Sequence, residues 1–166
     1  MKKDSSSYRN QQWLENMLDF VWSNHFSDVE KVNEVKIKYG RKAKRRLGSI
    51  GLDKNDRNLS IITINPIYQD SEVPEHVVIA TIVHEMTHYA HGFNSMHEQK
   101  QKHPHRGGVI RKEFAERGLE DMYVAQKQWL DNNWIRILEK HFGPENIYKP
   151  RSKTVKIKIP WWISGL

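Results

Sequence analysis

Two histidines four residues apart, His84 and His88, with Glu85 directly after the first, are the residues of this sequence best suited to chemistry. On a helix, side chains at i and i+4 stack on one face, so both imidazoles can reach a single Zn²⁺ at about 2.0–2.1 Å. Glu85, one position further round, is poorly placed to join them as a ligand. It is well placed to take a proton from a water that the metal activates. The chemistry this spacing predicts is metal-assisted hydrolysis, with Glu85 as general base.

Such a site needs a helix to carry it. The mostly apolar stretch 77–83 follows Pro74, a residue favoured in a first helical turn, and predicts a helix over about 74–91. Polar groups that arrive inside a buried helix are costly unless bound, and zinc would satisfy His84, Glu85 and His88 together. Upstream, Trp13, Met17, Leu18, Val21, Trp22 and Phe26 recur at helical spacing and predict a helix over about 8–26. Val35, Ile37 and Tyr39 alternate with charged residues as in a half-buried strand, and 47–52 and 59–64 predict two more strands around the polar segment 53–57. Downstream, Gly92 reads as a helix stop and 93–106 as a loop, with a new helix beginning near Gly107 or Gly108. A last helix is expected over 123–141, with Trp129, Leu130, Trp134, Ile137, Leu138 and His141 on its inner face, where His141 packs rather than binding metal. The expected fold class is α+β. It is a single domain over 1–166 with its core at about 10–142. A small, mainly antiparallel three-stranded sheet packs on the N-terminal helix and the metal-binding helix, and C-terminal helices follow.

Composition narrows the choices. The chain of 166 residues has no cysteine, which excludes disulfides and thiolate ligands and leaves His, Glu or Asp to hold a metal. The net charge of +7 is concentrated at Arg41, Lys42, Lys44, Arg45 and Arg46, and again at Lys149, Arg151, Lys153, Lys156 and Lys158. Such runs suit the phosphates of DNA as well as they suit a plain solvated surface. In the tail 143–166, Val155, Ile157 and Ile159 alternate with lysines ahead of Pro160-Trp161-Trp162. This predicts an edge strand that packs back on the domain, with a nucleic-acid or membrane-surface contact as the rival use. The polar Asp4-Ser5-Ser6-Ser7 follows Met1-Lys2-Lys3 where a signal peptide would turn apolar, and no run approaches membrane-spanning length. The expectation is a cytoplasmic protein, or one of the nucleoid or nucleus, without membrane insertion.

A catalytic zinc takes three protein ligands and keeps one position open, so a further residue must join His84 and His88. His91, His97, His103, His105 and Glu113 are the candidates. His91 lies almost two turns beyond His84, and one straight helix does not wrap three of its own side chains round a tetrahedral ion, which places His91 at the rim. The spacing with a Gly three residues and a His six residues after the second His is absent, because His91 and Asn94 hold those positions. A downstream element must therefore contribute.

With these pieces the chain resembles the SprT-like family of zinc metallopeptidases, in which a His-Glu-x-x-His helix is followed, after a variable loop, by a His-Gly pair and then a Phe or Trp. The matching residues are His84-Glu85-Met86-Thr87-His88, then His105, Gly107 and Phe114. The segments Arg46-Leu47-Gly48-Ser49-Ile50-Gly51-Leu52 and Ile61-Ile62-Thr63-Ile64-Asn65-Pro66 are similar to the sheet that leads into that family's active-site helix. The resemblance spans about residues 10–142. It implies a zincin-like fold, Zn²⁺ held by His84, His88 and His105, Glu85 as general base, and a protein or peptide substrate. Some relatives degrade proteins crosslinked to DNA, which implies DNA as a partner of the Arg41 to Arg46 run. Arg106 separates His105 from Gly107 where the family has Gly directly after His, a departure that leaves His103 as an alternative ligand; the resemblance still favours His105 over His103, with Glu113 behind both. The Cys-ligated zinc ribbon of several relatives has no counterpart in a chain without cysteine. The rival expectation is a catalytically silent, zinc-containing module that binds nucleic acid or protein. A carboxylate at position 85 favours the enzyme, because a purely structural zinc site has no need of it.

Overall fold

The computed structural model describes residues 8–147. In chain order these form α1 (Gln11–His25), β1 (Glu34–Tyr39), β2 (Gly48–Leu52), β3 (Leu59–Ile64), α2 (Glu75–Ala90), α3 (Val109–Glu116), α4 (Glu120–Phe142) and α5 (Pro144–Ile147). Single 3-10 turns lie at Pro66–Gln69 and Arg106–Gly108. The tail segment in which Val155, Ile157 and Ile159 predict an edge strand lies outside the described residues.

α2 is the axis of the fold because it is buried along most of its length. Val77, Val78, Ala80, Ile82, Val83, Met86 and Tyr89 are all fully buried, and a helix with so many apolar positions must be covered on several sides. α1, α3, α4, β2 and β3 supply that cover. Each such side chain taken from water contributes ~1.5–3 kcal/mol if of Val, Leu or Ile size, so the site helix is held by its packing. Its polar side chains turn inward on themselves where they can: Thr81 Oγ1 donates to Val77 O and Thr87 Oγ1 to Val83 O. The helix ends in a left-handed glycine. Phe93 N donates to His88 O and Gly92 N to Tyr89 O, and a Cβ on Gly92 (φ +79°) would stand 2.5 Å from Glu98 O. The helices expected over 8–26, 74–91 and 123–141 differ from α1, α2 and α4 only at their ends. At the start of α1, Asn10 caps by accepting from Trp13 N at 2.9 Å.

The sheet is mixed, which corrects the expectation of a mainly antiparallel one. Its order is β1-β3-β2. β1 pairs with β3 in parallel, from Glu34 opposite Leu59 to Tyr39 opposite Ile64. β2 pairs with β3 antiparallel, from Gly48 opposite Ile64 to Leu52 opposite Ser60. Side chains alternate with the same period in either kind of ladder, so the pattern of buried positions does not distinguish them. Ile37, Ile62 and Ile50 stand in one row across the three strands and are all buried.

Placing β3 in the centre obliges the connection 40–47 to step across its end. Asn65, the first residue after β3, holds this crossing in place. Its Nδ2 donates to Ala43 O at 2.7 Å and Arg46 O at 2.9 Å, while its backbone N donates to Leu47 O at 2.9 Å. The five basic residues of the loop are thereby fixed beside the N-terminus of β2.

Candidate metal centre

His84 and His88 occupy adjacent turns of α2, and His105 arrives from the loop that returns to the α3 side, immediately before the turn Arg106–Gly108. His105 Nε2 lies 3.3 Å from His84 Nε2 and 3.0 Å from His88 Nε2, and the ligand atoms of the three all fall within 4.8 Å of one another. Bonds of about 2.0–2.1 Å to a tetrahedral zinc set neighbouring ligand atoms about 3.3–3.4 Å apart, so the three rings are close enough to bind a metal ion. Three imidazole nitrogens that meet at one point cannot satisfy each other by hydrogen bonding, whereas a cation accepts all three lone pairs at once. Burial, with the neighbouring His105, lowers His84 to about 4. Burial, then His84, His105 and His91, lowers His88 to about 3. Both rings are therefore neutral near pH 7, the form that ligates metals. His88 Nδ1 is buried with no hydrogen-bond partner among the described residues.

The other candidates are placed elsewhere. His91 Nε2 donates to Glu113 Oε2 at 2.8 Å, and Gln101 Nε2 donates to His91 Nδ1 at 2.9 Å, which fixes the tautomer of this buried ring. Glu113 is held further by Arg117 Nη2 at 2.7 Å, and His91 first and Arg117 next bring its carboxyl down to about 2. Its oxygens are thus committed to a buried ion pair outside the His84, His88 and His105 cluster. His97 Nε2 donates to Glu30 O at 2.8 Å, and His103 is exposed and outside the cluster. His141 pairs with Asp70 at 2.9 Å on the far end of α4.

Glu85 is 5% exposed. Burial pushes its carboxyl up to about 8 against a smaller downward pull from Arg46. Space for this carboxylate comes from Gly48 of β2, where a Cβ would lie 2.9 Å from Glu85 Oε1 and 2.8 Å from Thr81 Cγ2. Behind it, Thr81 Oγ1 is 3.0 Å from Tyr68 Oη and accepts from Gln126 Nε2 of α4 at 2.9 Å.

Two cavities open at this point. A cleft of about 1120 Å³ is lined by His84, Glu85, Gln126 and the whole loop from Arg41 to Arg46. A pocket of about 260 Å³ is lined by His84, Glu85, His88 and His105, with Phe93 and Pro104 among its walls. Gly48 and Ser49 border both. The structure thus brings Arg41, Lys42, Lys44, Arg45 and Arg46 to the rim of the histidine cluster, which their position 40 residues upstream in the sequence does not announce. Gly48, Gln126 and Asn65 also shape the site without any local signal in the sequence that marks them.

No helix among the described residues is long and apolar enough to cross a membrane. Comparison of the chain with family models, with curated proteins and with solved structures finds no match.

Proposed function

We propose that this chain is a zinc-dependent peptidase of the SprT-like kind, with His84, His88 and His105 holding the ion and Glu85 acting as general base. The observation that carries the reading is the meeting of three imidazole nitrogens with a buried carboxylate at a point open to two cavities. Zinc bound there would supply Lewis acidity, polarising a carbonyl and making a water acidic. The carboxylate of Glu85 takes the proton of the attacking water and delivers it to the leaving amine nitrogen. A group that must first accept and then release a proton works best with a pKa near the working pH, and burial moves Glu85 in that direction. β2 is an edge strand, and the backbone of Gly48, which faces away from β3, offers an extended peptide a partner beside the two cavities.

Elemental analysis on purified wild type and Glu85→Gln, with casein cleavage measured on the same samples, tests this. Both proteins are expected to carry one zinc per chain, and Glu85→Gln to lose about 10²–10⁴-fold in turnover. Cleavage retained by Glu85→Gln would remove Glu85 as the base. Zinc in both proteins with no cleavage in either would leave a zinc-containing binding module.

A further inference from the structure

We infer that the large cleft beside the metal centre is a subsite for acidic side chains, so that the substrate is an extended peptide segment carrying Asp or Glu on the Arg46 side of the scissile bond. This rests on the peptidase reading for the word substrate, and on the cleft alone for the binding preference. Five cations, Arg41, Lys42, Lys44, Arg45 and Arg46, line one cavity in which Glu85 supplies the only carboxylate among the described residues. Lys44 is partly engaged, its Nζ donating to Asn146 O at 2.5 Å and lying over the Phe142 ring. Arg41, Lys42, Arg45 and Arg46 are exposed and form no ion pair among the described residues.

A run of like charges normally spreads into solvent. Here the loop is clamped by Asn65 across the end of β3, which keeps the cations on the wall of a concavity. A concave, low-dielectric wall of one sign concentrates its field on whatever enters. An acidic peptide fits this arrangement better than a nucleic acid does. Grooves that track single strands combine cations with aromatic platforms for the bases, and no Phe, Tyr or Trp lines this cleft among the described residues. The cleft also runs against the outward-facing edge backbone at Gly48, where an extended peptide finds hydrogen-bond partners.

The test uses full-length Glu85→Gln protein, loaded with zinc, and fluorescence anisotropy with three labelled probes: an Asp/Glu-rich peptide, its Asn/Gln counterpart and a thymine oligonucleotide. The acidic peptide is expected to bind at least about tenfold more tightly than the neutral one, with the advantage shrinking as salt rises. Adding Arg41→Glu and Arg45→Glu should abolish the preference while zinc content and melting temperature stay the same. Equal affinity for the two peptides overturns the inference, as does a preference that survives both charge reversals. An oligonucleotide that binds more tightly and displaces the acidic peptide overturns it too, assigning the cleft to nucleic acid. Mapping the wild-type cleavage sites in casein separates the two readings. Cuts without neighbouring Asp or Glu remove the acidic subsite and keep the peptidase, whereas selective acidic binding without any cuts removes the peptidase and keeps the acidic site.

Discussion

Gly48 is where a single atom decides whether the Glu85 carboxylate can sit where it does. A methyl group there would meet Glu85 Oε1 at 2.9 Å and Thr81 Cγ2 at 2.8 Å, so either the carboxylate or the edge strand must give way. Gly48→Ala is therefore expected to keep zinc and cost about 1–3 kcal/mol of stability from overpacking, while turnover falls at least about tenfold. Unchanged turnover, measured beside unchanged zinc content, would show that the carboxylate works from another rotamer. The ligand set gives a second comparison. His105→Ala should lose zinc and His103→Ala should keep it, because only His105 Nε2 reaches the rings of α2; the reverse result in elemental analysis would transfer the ligand to His103. At this scale the sequence is readable where chemistry is local. His84, Glu85 and His88 are set by one turn of helix, whereas His105 is brought in by a fourteen-residue loop whose course depends on bonds such as Asn94 Nδ2 to Ile50 O and Lys100 N to His91 O. Spacing alone cannot express such bonds, and it leaves Glu113 in contention until the buried pair with His91 and Arg117 is seen.

Among the elements, the β1–β2 connection depends most on one side chain. Asn65 spends its amide on two carbonyls of that loop and its Oδ1 on Ile67 N, so it joins the end of β3, the crossing loop and the following 3-10 turn. Asn65→Ala leaves these partners unsatisfied and is expected to cost on the order of 1–3 kcal/mol, with faster amide exchange confined first to residues 40–47. Exchange that rises equally throughout the sheet would show that the clamp is global rather than local. The existence and type of the main helices and strands are legible in the sequence because each buries a face with its own period. The pairing of the strands is not, since Val35, Ile37, Ile50, Ile62 and Ile64 alternate in the same way whether neighbours run parallel or antiparallel. Adjacent strands in sequence usually pair, and β1 and β2 do not.

At the scale of the whole molecule, carboxylates in ion pairs tie distant parts of the chain together and contribute to its response to acid. Glu113 links α3 to His91 at the end of α2, and Arg117 continues the network to Asp28 at 2.7 Å in the segment after α1. Asp70 binds Lys140 at 2.7 Å and His141 at 2.9 Å. Burial raises Asp70, but Lys140, the backbone of Glu72 and His141 outweigh it and bring it down to about 2, the same level as Glu113. Native values below the ordinary carboxylate range mean that the unfolded chain binds protons first. The stabilisation is complete above the ordinary values of 4.5 for Glu113 and 3.8 for Asp70, and is lost as pH falls towards about 2. Melting temperature, measured in chelator so that metal release does not contribute, should therefore drop across that window, and less steeply for Glu113→Gln. A Glu113→Gln curve parallel to wild type would dissociate the network from acid unfolding.

The central position of β3 also imposes an order of events on the ribosome. β1 and β2 emerge first but are not neighbours in the sheet, so a nascent chain that ends before residue 59 lacks the strand on which both native ladders form. Both ladders must close on the same late-arriving strand, and α2 follows directly behind it. The surface on which Gly48 faces Glu85 is thus assembled only once α2 is itself being made, which couples completion of the sheet to completion of the site.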